Sequence, residues 1–388
     1  MKNNSIYIKL SCLYFSAYWC LACYSPFLLL YLQDRKLSYV QMGFVFALNS
    51  LVNVLCQPVW GYITDKYLNI KKSLYISIIA SAIAIVLLVQ SYEYRFIILS
   101  TVVFVAFQSC ISSLMDSLCY KIIYKYNNIK FGKVRLMGSA GYAISSFLLG
   151  IIIARTSINI AFYLYSIFSI FAVFSLCRLN FKDETPREEK SKAQPLQVLR
   201  NISLLVFLLS VTIASISYGA NSSYVGVLLQ ETGGNTQNLG LLWFVIAMSE
   251  IPIFFISSKI INKIGSINTY LLSLLIFSLR FFLCTLWNNV SFIIAIQFLQ
   301  GFTFPLFMAG ALDYMSSIIP SEARSFSIAL MSALIFGAGA LIGNMGGGII
   351  IERFGIFTLY QIMSVICFTA LLIALTLKKK RGSSPSSL

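Results

Sequence analysis

Residues 61–72 read GYITDKYLNIKK: one aspartate and three lysines in a short link between two long apolar runs. The chain around this link is 58% hydrophobic and 11% charged over 388 residues. Charge is scarce, so where it falls carries information. Outward from the link, apolar runs of roughly 20 residues, each long enough to cross a bilayer as a helix, recur from end to end. Twelve are found, roughly 8–32, 41–63, 73–91, 96–122, 133–154, 159–178, 202–224, 239–258, 267–287, 290–318, 326–350 and 357–377. The first is too long, and too closely followed by others, to read as a cleaved signal peptide. A soluble protein of buried helices would leave too little polar surface to cover them, and 15% aromatics at this apolar fraction lies outside soluble composition. The expected fold class is an all-α membrane protein with twelve transmembrane helices.

The net charge of +16 invites a nucleic-acid partner, and the distribution of basic residues argues against one. Of the 29 Lys and Arg, 22 fall in the N-terminus, the even-numbered links and the C-terminus, whereas Arg35, Lys36, Arg95, Arg155 and Arg353 fall in the odd-numbered links. This is a positive-inside bias. It predicts both termini in the cytoplasm of a bacterial-type inner membrane. The lipid bilayer and a small molecule are then the expected partners, and nucleic acid is not. The nine cysteines lie mostly inside the apolar runs and read as small packing residues rather than disulfides or metal ligands. The chain has no histidine, which removes zinc-protease motifs, a Ser-His-Asp triad and any histidine proton relay. No metal site or enzyme activity is expected.

The one long polar stretch, RLNFKDETPREEKSKAQPLQVLR (178–200), mixes both charge signs with two prolines and reads as a solvated linker. It divides the chain into an N-terminal six-helix bundle (1–177) and a C-terminal six-helix bundle (201–377), followed by a basic tail (378–388). The halves echo each other. QMGFVFALNSLVNVLCQPVWGYITDKYL (41–68) and NLGLLWFVIAMSEIPIFFISSKIINKIG (238–265) align at an offset of 197, which pairs Gly43 with Gly240, Asp65 with Asn262 and Lys66 with Lys263. Six helices plus six in a parallel repeat is the plan of alternating-access transporters. In the second half, GAGALIGNMGGG (337–348) sets small residues along one helix, where they let helices approach closely in lipid.

GYITDKYLNIKK resembles the loop motif of the major facilitator superfamily: a glycine, a short apolar step, an aspartate, then basic residues. The resemblance implies that Gly61, Asp65 and Lys66, with the weaker copy Asn262 and Lys263, steady a cytoplasmic gate between the halves. The family places a glycine where this chain has Leu68. A topology-setting basic loop with no gating role is the alternative.

Charges at membrane depth are expensive and face a wet cavity or a partner. The candidates are Asp116, Arg135, Glu250, Arg280 and Asp313. Asp116 on the fourth helix and Arg135 on the fifth together offer acceptors and forked donors, which suit hydroxyl-rich or carboxylate ligands. Tyr142 lies seven residues after Arg135, on the same helical face. FGKVRLMGSAGY (131–142) resembles the FG-basic-x-R-x-x-G-x-x-G-aromatic stretch of the lactose permease branch, the oligosaccharide–proton symporters; SPFLLLYLQD and QPVWGYITDK agree with it. The resemblance implies sugar binding by Arg135 and Asp116, with Tyr142 standing where the branch has a stacking tryptophan. Arg135 as a plain basic residue at a helix end is the bland alternative.

The second half departs from that branch. Arg280 matches its proton-site arginine. In FLQGFTFPLF (298–307), however, Gln300 and Thr303 stand where the branch has a histidine and a glutamate, and neither carries a proton near neutral pH. Glu250, mid-helix in IAMSEIPIFF, is the substitute: a carboxyl whose arginine partner, Arg280, comes and goes can bind and release a proton. A structural Glu–Arg pair is the alternative. The SEIP run also resembles phenylpropionate and nucleoside permeases of the same branch. The expectation is therefore a secondary transporter for a small polar solute such as a sugar, driven by the proton gradient, without a cofactor and acting as a monomer. Aromatic-acid or nucleoside uptake, efflux, and a non-transporting sensor or scaffold are the rivals.

Overall fold

The computed structural model describes residues 2–125, 131–179, 201–320 and 323–382. Residues 180–200 of the expected linker, 383–388 of the tail, and Glu322 lie outside the described residues. Twelve helical spans are long and apolar enough to cross a membrane: α1 (Ile6–Asp34), α2 (Tyr39–Lys66), α3 (Ile70–Val89), α4 (Tyr94–Tyr124), α5 (Phe131–Arg155), α6 (Asn159–Cys177), α7 (Ile202–Glu231), α8 (Thr236–Ile264), α9 (Ser266–Leu283), α10 (Val290–Ile318), α11 (Phe326–Phe354) and α12 (Ile356–Lys378). No strand occurs among the described residues. The exterior is apolar: Ile83, Ile170 and Val365 are 59%, 68% and 65% exposed. Such a surface suits lipid rather than water.

Local chemistry sets the helix ends. Ser38 and Gln41 form a reciprocal capping box at the start of α2, satisfying two otherwise orphaned donors. Asn69, Asn201 and Asn289 cap α3, α7 and α10 through their side-chain oxygens. In the second half, Gly265 and Gly355 stop α8 and α11 in the left-handed region, with φ of 83° and 82°. Gly265 occupies the place that Leu68 holds in the first copy of the repeat. The missing glycine therefore appears in the other half. At Leu68 the turn closes without positive φ, through Tyr67 N–H and Leu68 N–H donating to the Ile63 carbonyl at 3.0 and 3.1 Å.

The chain divides into two compact units. The first takes in the described residues of Met1–Pro186 and Gly234–Met248. Its core joins Leu10, Leu13 and Tyr14 of α1 to Leu74 and Ile78 of α3, Met115 and Leu118 of α4, and Leu176 of α6. Gly141 of α5 lies so close to the Phe15 carbonyl of α1 that a side chain there would collide with backbone. The N-terminal half of α8 belongs to this unit because Gly240 meets α5 without side chains between them: a Cβ on Gly150 would lie 2.9 Å from Gly240 Cα.

The second unit takes in the described residues of Arg187–Gly233 and Ser249–Leu388. Its tightest seam joins α7 to α11. A Cβ on Gly219 would stand 2.5 Å from Ala340 Cα, and Gly343 sits against the Ile216 carbonyl. The small residues of 337–348 thus serve the close approach expected of them. Within α11, Leu334–Gly339 widens into a π-helical turn. All nine cysteines are free thiols. Cys20 and Cys23 form a Cys-x-x-Cys pair that a reading of scattered cysteines passes over; both are buried, and the Cys20 thiol lies 3.6 Å from Ser169 Oγ.

Candidate functional site

Among the described residues, two of the polar clusters inside the spans carry a carboxylate and a guanidinium, one in each unit. In the first unit, Tyr14 and Tyr18 are one turn apart on α1, and Ser112 and Asp116 are one turn apart on α4. The four pair across the helices. Tyr14 Oη donates to Asp116 Oδ1 at 2.7 Å, and Tyr18 Oη lies 2.9 Å from Ser112 Oγ. The two tyrosine rings stack at 6.3 Å and 6°. Arg135 of α5 lays its guanidinium on the Tyr18 ring, 4.5 Å from the centroid.

The spacing inside FGKVRLMGSAGY now has a physical account. Gly138, one turn beyond Arg135, leaves room for that ring: a Cβ on it would lie 2.8 Å from Tyr18 Cδ2. Gly141 lets α5 approach α1 closely enough for the guanidinium to reach the ring. The structure therefore brings Asp116 and Arg135 into one cluster but not into an ion pair. A tyrosine holds each of them. Arg135 Nη1 is buried and has no hydrogen-bond partner. A half-buried guanidinium with a free donor beside a half-buried carboxylate can receive a ligand that both accepts and donates. Tyr142 meets the edge of Trp243, with centroids 6.3 Å apart at 76°, and the Trp243 indole N–H is buried without a partner.

In the second unit, Arg280 is 1% exposed and packs on Phe281 at 4.8 Å. Its acceptors are amides. Nη1 donates to Gln297 Oε1 at 3.2 Å and also to Gln300 Oε1. Gln300 Nε2 in turn donates to Glu250 Oε1 at 3.2 Å. Glu250 and Arg280 are thus joined through Gln300 and make no direct ion pair. Thr303 Oγ1 donates to the Gln300 backbone carbonyl at 2.9 Å. Gly301 sits against the Ser249 backbone carbonyl with no space for a side chain, which brings α10 onto α8 and Gln300 within reach of Glu250.

The loop residues stand apart from both clusters. Asp65, Lys66, Asn262 and Lys263 are exposed at helix ends. Among the described residues Asp65 and Lys66 form no ion pair. Lys66 instead donates to Tyr62 Oη at 2.6 Å and lies 5.2 Å from the Tyr67 ring. A Cβ on Gly61 would meet nothing within 4 Å, so no crowding explains that glycine. Lys71 caps the end of α6 by donating to the Leu179 carbonyl at 2.5 Å. Asp313 is exposed.

Residues 7–362 match the MFS_1 like family. The chain belongs to that family. Members are permeases, so this MFS_1 like protein is a multi-pass membrane transporter and not an enzyme. It is 27% identical over 377 residues to the maltose permease of Geobacillus stearothermophilus, covering 96% of this chain and 94% of that one. It is 24% identical over 371 residues to the sucrose permease of Escherichia coli, covering 89% and 87%. It is 23% identical over 395 residues to the lactose permease of Klebsiella oxytoca, covering 95% and 93%. These relatives are sugar permeases, in keeping with the lactose permease resemblance of residues 131–142. Among solved structures, the nucleoside transporter NupG superposes with a TM-score of 0.86 at 13% identity, covering 96% of this chain and 99% of that one. At that identity the match shows the fold alone.

Five residues in or beside these clusters escape a reading for charge: Tyr14, Tyr18, Ser112, Gln297 and Trp243. Tyr14 and Tyr18 carried a signal all the same. Polar side chains spaced i, i+4 on α1 face polar side chains spaced i, i+4 on α4, and inside a membrane such pairs seek each other. Gln297 carried no signal beyond being an amide in an apolar run.

Proposed function

We propose that this transporter takes up a hydroxyl-rich solute, a sugar, by alternating access coupled to the proton gradient. The observation that carries the reading is the Arg135 guanidinium, seated on the Tyr18 ring with a buried donor unpartnered, while Asp116 is held by Tyr14 and not by the arginine. Vicinal hydroxyls accept from a guanidinium and donate to a carboxylate at once, so they fit an unjoined pair. The sugar permeases among the relatives support the same class. Tyr142, two turns on from Arg135 along α5 and packed on Trp243, supplies an aromatic ring.

Glu250 binds the transported proton and Arg280 senses it. Asp65 and Lys66, with Asn262 and Lys263, mark the cytoplasmic gate. No cofactor takes part. The protein works as a monomer in a bacterial-type inner membrane with both termini in the cytoplasm, as the 22-to-5 division of basic residues supports.

The test is solute-induced proton movement in proteoliposomes, challenged with maltose, sucrose, lactose, a nucleoside and a phenylpropionate-like acid. Alkalinisation outside on adding a sugar is the expected result. Proton movement with the nucleoside or the acid alone would replace the sugar reading. Counterflow of a sugar without proton movement would make the protein a facilitator.

A further inference from the structure

The glutamines of α10 are the part of the second cluster that the proposed function leaves without a role. α10 is not one continuous α-helix. Between Val290–Ile296 and Gln300–Ile318 it tightens into a 3-10 turn, Gln297–Leu299. Side chains three residues apart eclipse in a 3-10 turn, whereas in an α-helix they are offset. Gln297 and Gln300 are three apart, and both direct their carbonyl oxygens at one nitrogen, Arg280 Nη1. The turn is what makes two amides converge on one guanidinium.

The direction of the Gln300 amide is also determined. Its oxygen faces a group that only donates, and its nitrogen faces a carboxylate oxygen. Exchanging the two would set donor against donor at one end and acceptor against acceptor at the other. Thr303 Oγ1 reinforces this orientation, 3.2 Å from Gln300 Oε1. The group is dry: Arg280, Gln297, Gln300 and Thr303 are 1%, 0%, 4% and 0% exposed. Arg280 Nε and Nη2 are buried without acceptors.

We propose that Gln300 is a positioning residue for proton coupling: a neutral amide bridge, seated by the 3-10 turn, that links Glu250 to Arg280 while keeping them out of a direct ion pair. The inference rests on the reading of Glu250 as the proton-binding carboxyl. A buried arginine–carboxylate pair in direct contact is hard to break once formed. An interposed amide keeps the two groups in register through single hydrogen bonds that a rearrangement can open. When a proton from one aqueous phase settles on Glu250, the bond from Gln300 Nε2 loses its charged acceptor. The proton leaves by the same carboxyl to the other phase. Gln300 itself never titrates, which reconciles coupling with the absence of an ionisable side chain at this position.

The experiment uses the full chain in proteoliposomes, with whichever of maltose, sucrose or lactose exchanges in the wild type as the labelled solute. Gln300→Leu removes the bridge. Uphill accumulation should fall about tenfold while exchange persists, and the pH midpoint of exchange should move by about one unit, as expected for one hydrogen bond to a charged group. Gln300→Glu combined with Glu250→Gln sets the carboxyl directly on the arginine, the ion pair that the bridge avoids, and should recover none of the accumulation that Glu250→Gln loses. If Gln300→Leu does not fold, the double variant decides. Wild-type accumulation and pH midpoint in Gln300→Leu, or recovered accumulation in the double variant, overturns the bridge and leaves the Glu250 reading standing. Accumulation that survives Glu250→Gln alone overturns the Glu250 reading, and the bridge with it.

Discussion

The two polar clusters contain the same charged pair, a carboxylate and a guanidinium, and treat it in opposite ways. In the first unit Asp116 and Arg135 are each held by a tyrosine, and a donor on the arginine stays open. In the second unit Gln300 links a half-buried Glu250 to Arg280, and Arg280 lies in a dry group of amides. The surroundings account for the difference. Aromatic rings flank a cation without consuming its hydrogen-bond donors, so the first arginine remains available to a ligand. Amide oxygens hold Nη1 of the second arginine and tie it through Gln300 to Glu250, while its Nε and Nη2 stay buried without acceptors. On the proposed function, the first cluster receives the solute and the second registers a change of charge.

Mutations can break this comparison or sharpen it. Glu250→Gln should have the largest effect: uphill accumulation vanishes while counterflow exchange of the same solute continues. If the variant still concentrates solute against a gradient, the second cluster does not couple. Arg135→Ala should weaken solute binding about a hundredfold, the worth of two charge-assisted hydrogen bonds. Arg135→Lys should recover little of it, because an ammonium lacks the planar fork. Equilibrium binding by isothermal calorimetry reads both.

Tyr14→Phe removes a single hydroxyl from Asp116 and should cost about tenfold in affinity. An unchanged affinity would show that Asp116 needs no orienting partner. Gly138→Ala drives a methyl group to within 2.8 Å of the Tyr18 ring, and should lower thermal stability by about 1–3 kcal/mol as it displaces the arginine's platform. A melting curve in detergent, set beside the affinity, separates the two consequences. Asp65→Asn should leave the melting temperature unchanged, since this exposed carboxylate makes no ion pair among the described residues. A clear fall in that temperature would assign the loop a structural role that its geometry does not show.

The architecture was legible in the chain because membrane insertion reads composition directly. A run of apolar residues about 20 long has few alternatives in lipid, and the twelve runs read from sequence reappear as the twelve spans. Even the repeat offset survives: α2 begins at Tyr39 and α8 at Thr236, 197 residues apart. The charged members of each cluster were legible for the same reason, since a charge inside a span has to be accounted for. Their partners were not. Tyrosines and glutamines are tolerated in spans without special cause, so only the i, i+4 spacing marks Tyr14 and Tyr18, and nothing in the string marks Gln297. Gln300 was read only as the absence of a titrating group.

Sequence alone determined the class of protein, the number of spans and the presence of charges within them, because each follows from the cost of placing polar groups in hydrocarbon; that Asp313 stays exposed was not legible there. It did not determine which charges touch. That Asp116 rests on Tyr14, that Arg135 lies on Tyr18, and that Glu250 reaches Arg280 only through Gln300 were decided by tertiary structure. The physical reason is distance. Those contacts depend on how near two helices come, and that is set by glycines such as Gly141 and Gly301, which bring neighbouring backbones close enough for side chains to meet, and by a single 3-10 turn that aligns two amides.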